Sequence, residues 1–384
     1  MPIMDEELPS VDILLSIYRP RMDWFLTLLD SINEQTYDRV TLIVANDAPE
    51  DPTDYETVIR NRVTRYPVLY YKNPTNLGTT TSFEELTRKA TAYYLAYCDQ
   101  DDVWLQGKLA TLVHVALKSR ADLVCSDMYV IDENGNRICN SITRPRRKQR
   151  LHVSANLRRQ ILLSNFVYGC AMLIKREAAL NTLPIPKVFY HDWWMALYVV
   201  FFGKLRVINK SLLEYRIAGQ NQTGFCAGIQ NKTDYREKLI LDRLEKLRAI
   251  RDRFKECGVD ADLSFYIDYY SDLYGLFNSF HWRKAFSLLR RSFSEYFDYP
   301  LRQSADCILA LIPDVLFEEV ISSTKRYKIL RKVIIYHINK LISRLGGGEI
   351  RYLVSMALLL ILRLWHENLP FSHCREFLFF KKFM

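Results

Sequence analysis

The first 225 or so residues alternate short apolar runs with stretches in which apolar side chains return every three or four positions. The first pattern predicts buried strands and the second predicts amphipathic helices. Strands that alternate with helices favour a parallel sheet with right-handed crossovers. We predict strands over residues 11–17, 40–45, 68–71, 93–98, 122–126, 170–174 and 204–208, and helices over 22–34, 79–92, 105–118 and 195–202, with a polar helix ending near 65.

The pattern changes after this alternation ends. From about residue 234 the periodicity is helical throughout, and residues 325–345 predict a basic amphipathic helix. The apolar run 352–362 is about half the roughly 20 residues that a membrane-spanning helix needs. We therefore predict two domains, an α/β domain over 1–225 and an all-helical domain over 226–384.

Composition supports a folded intracellular chain. Of the 384 residues, 49% are hydrophobic and 25% are charged, which is typical of a globular protein. The eight cysteines stand singly, without a Cys-x-x-Cys pair, which indicates neither a disulfide framework nor a zinc site. Residues 5–7 are acidic where a signal peptide would be basic. We expect a cytoplasmic protein.

The net charge of +9 is concentrated at one end. From residue 321 onward there are twelve Lys and Arg against three Glu, a surplus equal to the charge of the whole chain. Such a segment favours contact with an anionic membrane, here the inner face of the cell membrane, where the protein would be peripheral. A tail that packs internally or forms a homo-oligomer is the alternative. A nucleic-acid-binding protein is a weaker alternative, because the chain has no basic strands interleaved with aromatics, and we expect no nucleic-acid partner.

Three carboxylates crowd the end of the strand predicted over 93–98. Asp99, Asp101 and Asp102 fall within four positions, and like charges so close together raise one another's pKa. A divalent cation, or a ligand held through one, would relieve this repulsion. Asp102 alone could cap the helix expected from residue 105, but capping would not explain the other two.

Other polar turns follow strands at the same edge. They are 16–18, 46–47 and 76–78, and ligands of open α/β sheets lie beyond the carboxyl ends of the strands. The chain has neither Gly-x-Gly-x-x-Gly nor a P-loop motif. A nucleotide bound here would therefore need a metal for part of its phosphate recognition.

Two further segments carry candidate chemistry. Asp192 opens an apolar helix beside two tryptophans, where it is either a helix cap or a carboxylate aimed into a cleft. The basic run 144–150 is typical of a solvated loop, with a mobile flap that touches phosphate or membrane as the alternative.

Three motifs resemble the family 2 glycosyltransferases, which have the nucleotide-diphospho-sugar transferase (GT-A) fold, a Rossmann-like mostly parallel sheet. They are Ser16-Ile17-Tyr18-Arg19-Pro20, the segment from Asp99 to Trp104, and Tyr215-Arg216 followed by Asn221-Gln222-Thr223-Gly224. Their order is similar to that of the rhamnosyltransferase-like branch, which builds bacterial cell-surface polysaccharide.

The resemblance implies an inverting enzyme with Mn²⁺ or Mg²⁺ as cofactor. It implies a nucleotide-sugar donor, best guessed as dTDP-rhamnose, with a UDP-hexose or UDP-N-acetylhexosamine as the alternative, and a lipid-linked saccharide acceptor. It assigns Asp192 as the base, Asp101 and Asp99 as metal ligands, and Trp104, Trp193, Trp194 and Arg216 to the acceptor side. The implied donor-binding residues are Ser16, Tyr18, Arg19, Asn46, Asp47, Asn76, Gly78, Asp99, Gln100 and Asp101.

Two positions depart from the family pattern. Asn46 and Asp47 stand where the family usually has two aspartates, so one nucleoside contact would be an amide. Ala218 stands where the branch often has a histidine, so metal or phosphate binding would be completed differently.

Overall fold

The computed structural model describes residues 8–143, 157–217, 229–259, 262–279, 281–292, 300–311, 314 and 317–318. The chain forms two compact units, Met1–Gln222 and Thr223–Met384. The first is an α/β unit, and the described part of the second is helical. The predicted fold class, an α/β sheet followed by a helical region, is therefore confirmed.

Four parallel strands form one half of the sheet, in the order β3-β2-β1-β4. Their apolar sequences explain their burial, since every residue of β1 except the half-buried Ser16 is buried. The strands are β1 (Val11–Ile17), β2 (Val40–Asn46), β3 (Val68–Lys72) and β4 (Tyr94–Cys98), connected by helices α1 (Met22–Asn33), α2 (Tyr55–Arg62) and α3 (Thr79–Lys89).

The other half of the sheet is mixed, with parallel and antiparallel pairs. Beyond β4 the order continues β8-β6-β9-β5, in which only β6 and β9 are parallel, and β7 pairs with β6 as a hairpin. These strands are β5 (Val103–Trp104), β6 (Leu123–Ile131), β7 (Arg137–Cys139), β8 (Met172–Lys175) and β9 (Leu205–Arg216).

Helices cover the sheet with their apolar faces. In α1, the buried positions Phe25, Leu28, Leu29 and Ile32 recur at helical spacing and join the core of β1 and β2. The remaining helices of this unit are α4 (Lys108–Ser119), α5 (Leu157–Leu163), α6 (Arg176–Asn181) and α7 (His191–Phe202), with a 3₁₀ turn at Gly169–Ala171.

The order of the strands reverses between β1 and β4. β2 and β3 lie on one side of β1, whereas β4 and the later strands lie on the other. Such a reversal marks the position at which open α/β sheets bind ligands, beyond the carboxyl ends of the strands. Tyr18 and Asp99 are the first residues after β1 and β4.

Three local features differ from the sequence prediction. β9 continues to Arg216, beyond the end predicted at residue 208, because it pairs with β6 as far as Ile131. α4 begins at Lys108 with Gly107 at its cap position, so Asp102 is not its cap. Residues 169–171 form the 3₁₀ turn instead of the start of a strand.

The described part of the second unit is helical and contains buried polar contacts. The Tyr235 hydroxyl donates to Asp306 Oδ1 at 2.6 Å, and Arg243 lies 3.5 Å from the same carboxylate. The helices are α8 (Lys232–Tyr235), a π-helical segment (Arg236–Leu241), α9 (Asp242–Glu256), α10 (Ser264–Asn278), α11 (Trp282–Ser292) and α12 (Pro300–Leu311).

None of the helices within the described ranges combines the length and apolar character that crossing a membrane requires. The predicted basic helix 325–345 and the apolar run 352–362 lie outside the described residues. The basic run 144–150 also lies outside them.

Candidate active site

Gln100 ties the loops after β1 and β4 together. Its side-chain Oε1 accepts the Tyr18 amide at 2.8 Å, and its Nε2 donates to the Tyr18 carbonyl at 3.2 Å. Both ends of the Gln100 amide are therefore used to fix backbone. The Tyr18 side chain is 43% exposed at this edge, so it is free to meet a ligand.

Asp47 organises the turn before α3. Its carboxylate is 3% exposed and accepts three hydrogen bonds, from Asn73 Nδ2 and the Leu77 amide at 2.8 Å each and from the Gly78 amide at 2.9 Å. Gly78 has φ +79°, a conformation that suits glycine. Asp47 thus shapes the edge where a nucleoside was predicted to bind.

Three other predicted donor residues surround this turn. Asn46 is buried, accepts the Ala48 amide at 2.9 Å and donates to the Tyr70 hydroxyl at 2.9 Å. Asn76 is exposed and accepts from Gly78 at 2.9 Å. Ser16 is half-buried near the end of β1.

Arg19 lies on the exposed side of the same edge. Its guanidinium pairs with Glu50 at 2.6 Å, and its backbone has φ +44°. Ala218, which replaces the usual histidine, and the motif residues 221–224 lie outside the described residues.

Asp99, Asp101 and Asp102 form an acid cluster directly after β4. Asp99 and Asp101 are half-buried and Asp102 is buried. Asp102 Oδ1 accepts the Arg216 amide at 3.2 Å, whereas Oδ2 is buried without a hydrogen-bond partner among the described residues. The carboxylate oxygens of the acid cluster are therefore close together and only partly exposed to water.

Burial raises the pKa of each carboxyl in the acid cluster. For Asp99 the pKa rises to about 7, because burial and the nearby charges of Asp101 and Asp192 all disfavour its ionised form. Burial also raises the pKa of Asp101 and of Asp102. The acid cluster therefore retains protons near neutral pH that a bound cation would displace.

Lys108 is a buried cation beneath the acid cluster. Its Nζ donates to the Cys170 carbonyl at 2.6 Å and lies 3.2 Å from the centre of the Trp104 ring. Burial lowers the pKa of Lys108 to about 8, while the charges of Asp102 and Asp99 favour its ammonium form. Trp104 is buried, so it supports Lys108 and does not fit the predicted acceptor-side position.

Replacing Lys108 with Met should destabilise the domain. The change leaves the Cys170 carbonyl without its donor and removes the internal cation beneath the acid cluster, with an expected loss of roughly 3 kcal/mol of unfolding free energy. Urea unfolding at pH 7.5 measures it. Lys118→Met, at the end of the same helix, is the matched control, and an equal loss in both variants would contradict the role given to Lys108.

Asp192 lies in the first turn of α7 and is half-buried. Its carboxylate accepts the Gly169 amide at 3.2 Å and the Trp193 amide at 2.6 Å. Burial raises the pKa of Asp192 to about 6, although these hydrogen bonds oppose the rise. A carboxylate with a pKa near neutrality can exchange a proton during a reaction.

The remaining predicted acceptor-side residues are held by internal contacts. Arg216 is buried, and its guanidinium donates to the carbonyls of Asp101 at 3.0 Å and Asp132 at 3.1 Å. Trp194 is buried with its indole N–H on the Thr182 carbonyl at 2.7 Å, so this ring does not fit the predicted acceptor side. Trp193 is half-buried and donates to the Ile161 carbonyl at 2.7 Å.

Several residues around the site were not singled out from the sequence. Their roles depend on burial or backbone contact, which a helical or strand-like apolar pattern does not reveal. They are Lys108, Gly169, Cys170 and His191.

Among the described residues, Asp99 and Asp102 come together with Cys170 as possible metal ligands, and the predicted ligand Asp101 is not part of this group. One ligand atom from each of Asp99, Asp102 and Cys170 lies within 4.8 Å of the others. Carboxylate oxygens are the ligands that Mg²⁺ and Mn²⁺ prefer, whereas a thiol suits softer metals. The buried, unpartnered Asp102 Oδ2 is one oxygen that a cation would satisfy.

Comparisons with known proteins agree with this geometry. Residues 17–181 match the family model for Glycosyl transferase family 2. The chain is 24% identical over 212 residues to the Escherichia coli UDP-Glc:alpha-D-GlcNAc-diphosphoundecaprenol beta-1,3-glucosyltransferase WfgD, with 54% of this chain and 78% of that protein covered. It is 23% identical over 231 residues to an uncharacterized glycosyltransferase of Methanocaldococcus jannaschii, with 59% and 77% covered.

Likeness to solved structures is remote. The mannosyltransferase PcManGT from Pyrobaculum calidifontis, solved with GDP-Man and Mn²⁺, superposes with a TM-score of 0.49 at 14% identity, over 92% of this chain and 85% of that one. The fold therefore rests on the strand order described above. The matched residues 17–181 run from the last residue of β1 to the end of α6 and contain β4 and the acid cluster that follows it. This part of the chain is therefore a glycosyl transferase family 2 domain.

Proposed function

We propose that the chain transfers a sugar, with inversion, from a nucleotide-sugar donor to a lipid-linked saccharide of the cell surface. The observation that carries this proposal is the acid cluster at the carboxyl end of β4, where the charge of Asp192 contributes to raising the pKa of Asp99. Sugar transfer needs carboxylates in two roles. One set holds the cation that neutralises the departing diphosphate, and another carboxylate takes the proton of the incoming hydroxyl.

The donor would lie across the carboxyl ends of β2, β1 and β4. The exposed Tyr18 ring offers a surface for the nucleobase, and the turn held by Asp47 offers backbone groups around Gly78. Gln100 contributes by fixing the Tyr18 backbone. Asp99 and Asp101 would face the ribose and the diphosphate.

Asp101 and Asp99 would hold Mg²⁺ or Mn²⁺, with the unpartnered oxygen of Asp102 nearby. A bound divalent cation supplies neutralisation of the charge that develops on the leaving diphosphate. The chain's own contribution is the rigid backing of the acid cluster. Arg216 fixes the Asp101 carbonyl, and its amide fixes Asp102.

Asp192 would be the base. Its ionised carboxylate takes the proton from an acceptor hydroxyl as that oxygen bonds to the anomeric carbon, and the bond from the anomeric carbon to the diphosphate oxygen breaks. The proton stays on Asp192 and the electron pair leaves with the nucleoside diphosphate. One displacement inverts the anomeric centre, and no covalent sugar-enzyme intermediate forms.

We propose dTDP-rhamnose as the donor on the resemblance of the motifs, and one observation favours a second candidate. The Escherichia coli relative is named for UDP-glucose as donor and a diphosphoundecaprenol-linked sugar as acceptor. By analogy this chain would use a UDP-hexose or UDP-N-acetylhexosamine. The acceptor class is the same in both cases.

A donor panel tests the proposal. The protein is heated with Mn²⁺ and dTDP-rhamnose, UDP-glucose or UDP-N-acetylglucosamine, and the true donor should raise its melting temperature most. The stabilising donor is then assayed for transfer to a diphosphoundecaprenol-linked sugar. If no nucleotide-sugar stabilised the protein and none was consumed, the proposed function would be wrong.

We also propose that the basic tail, residues 321–384, holds the enzyme on the inner face of the cell membrane. Near anionic lipid each basic residue would contribute on the order of 1 kcal/mol. Truncation before Lys325 should leave donor binding intact, abolish sedimentation with vesicles of phosphatidylglycerol at low salt, and leave the protein cytoplasmic. A full-length dimer that ignores such vesicles and becomes monomeric on truncation would instead make the tail an oligomerisation element.

A further inference from the structure

Gly169 and Cys170 connect the two groups of the proposed active site. The Gly169 amide donates to Asp192 Oδ2 at 3.2 Å. The Cys170 carbonyl accepts from Lys108 Nζ at 2.6 Å. The Cys170 thiol lies within 4.8 Å of carboxylate oxygens of the acid cluster. Gly169 therefore contacts the proposed base, Asp192, and the next residue, Cys170, contacts Lys108 and lies beside the acid cluster.

Position 169 has no room for a side chain. A Cβ built there would lie 2.5 Å from Nε2 and 3.1 Å from Cε1 of His191, and 3.7 Å from Cβ of Asp192. The first distance is shorter than real Cβ contacts allow, so either the 169–170 backbone or the start of α7 would have to move. Both movements change the contact between the Gly169 amide and Asp192.

His191 is not able to yield, because aromatic rings clamp it. Its ring centre lies 4.3 Å from that of Phe83 and 5.0 Å from that of Tyr97. The Tyr97 hydroxyl is itself hydrogen-bonded to the Thr87 hydroxyl at 2.7 Å. The imidazole is a rigid wall against Gly169, one residue before the proposed base.

The clamped imidazole also lacks hydrogen bonds. Both ring nitrogens are buried without a partner within the described ranges. Leaving buried polar atoms unpaired costs folding free energy, and such local costs concentrate at functional sites. The unpaired imidazole therefore indicates that His191 is present for its shape and not for its contribution to stability.

We infer that the bare backbone of Gly169, pressed against the clamped ring of His191, sets the distance between Asp192 and the acid cluster and so aligns the acceptor hydroxyl with the donor. Gly169 and His191 are positioning residues in this scheme, since they act through Asp192. The inference rests on the proposed function, because it takes Asp192 as the base. A misplacement of about 1 Å at a reacting group can cost about 100-fold in rate.

Gly169→Ala provides the test. We expect kcat for sugar transfer to fall by roughly 100-fold while the donor KM stays within about threefold of wild type, because donor contacts lie elsewhere. Gly107→Ala is the matched control in the same domain, since a Cβ there meets only Thr111 Oγ1 at 3.9 Å. Its kcat should be unchanged. A kcat for Gly169→Ala within about threefold of wild type would overturn the inference.

A second-site variant separates positioning from general damage. His191→Ala removes the ring that the new Cβ would meet, so Gly169→Ala combined with His191→Ala should recover at least about tenfold in kcat over Gly169→Ala alone. Purely additive losses, with donor KM rising in step, would indicate general structural damage and overturn the inference.

The same pair of variants can be compared starting from His191→Ala if Gly169→Ala alone does not fold. Adding Gly169→Ala to the His191→Ala protein should then leave kcat within about threefold, and a further tenfold loss would contradict the inference. Near wild-type turnover of Asp192→Asn would instead overturn the proposed base, and that result does not depend on any variant at position 169.

Discussion

Asp192→Asn should lower kcat for sugar transfer by roughly 1,000-fold, within the range expected for losing a general base. The amide cannot take the proton of the acceptor hydroxyl. Its oxygen can still accept one of the two amide hydrogen bonds, from Gly169 or Trp193, that the carboxylate now accepts. Asparagine also suits the start of a helix. Donor binding and the fold should therefore survive while turnover is lost.

The pH dependence gives this prediction a second signature. Because burial raises the pKa of Asp192 to about 6, the wild-type carboxyl gains a proton as the pH falls through 6 and can no longer act as a base. Wild-type kcat should fall tenfold per pH unit below this value. The residual turnover of Asp192→Asn should lack that acid limb.

Stability should change in the opposite sense to activity. A carboxyl whose pKa is raised in the folded state binds its proton more tightly there, so its contribution to stability declines as the pH rises from about 4 to about 6. A neutral amide avoids this cost, and Asp192→Asn should melt no lower than wild type at pH 7.5. Glu177→Gln, an exposed carboxylate in the first turn of α6, is the matched control and should change neither property. Retained turnover in Asp192→Asn would remove Asp192 from the mechanism.

The parallel half of the sheet was predictable because its signals are local. The apolar run of β1 was placed at its observed bounds, and the period of α1 ended within one residue of the observed helix end. The mixed half was not predictable in this way. β4 pairs with β8 some eighty residues later in the chain, and β5 is only two residues long. Neither feature leaves a periodic signal.

The candidate site was predictable in its charges but not in the directions of its side chains. Crowded aspartates after a strand indicate chemistry whatever surrounds them. The directions of Gln100 and Arg216 depend on which backbone groups of other loops need a partner. The direction of Trp194 is set in the same way, because its ring packs in the core and its N–H donates to the Thr182 carbonyl. Motif position alone could not distinguish such supporting residues from ligand-contacting ones.

Asp101→Asn should abolish transfer by a different route, through the metal. The variant removes a charged oxygen from the acid cluster, and we expect nucleotide affinity in Mn²⁺ to fall by at least about 100-fold and transfer to fall below detection. Titration calorimetry with the nucleoside diphosphate, with Mn²⁺ and with EDTA, measures the metal-dependent part directly. Asp192→Asn should keep that part, which distinguishes the two roles.

Nucleotide affinity in Mn²⁺ should also depend on pH, and the protonation of the acid cluster determines the direction of the change. Because burial and the neighbouring charges of Asp101 and Asp192 raise the pKa of Asp99 to about 7, a proton competes with the cation for this site. Nucleotide affinity in Mn²⁺ should therefore weaken as the pH falls from 8 to 6. Asp38→Asn is the control, since Asp38 is exposed just before β2, at the amino end of the strand. Full transfer after exhaustive EDTA treatment, or unchanged Mn²⁺-dependent binding in Asp101→Asn, would show that the acid cluster does not hold the catalytic cation.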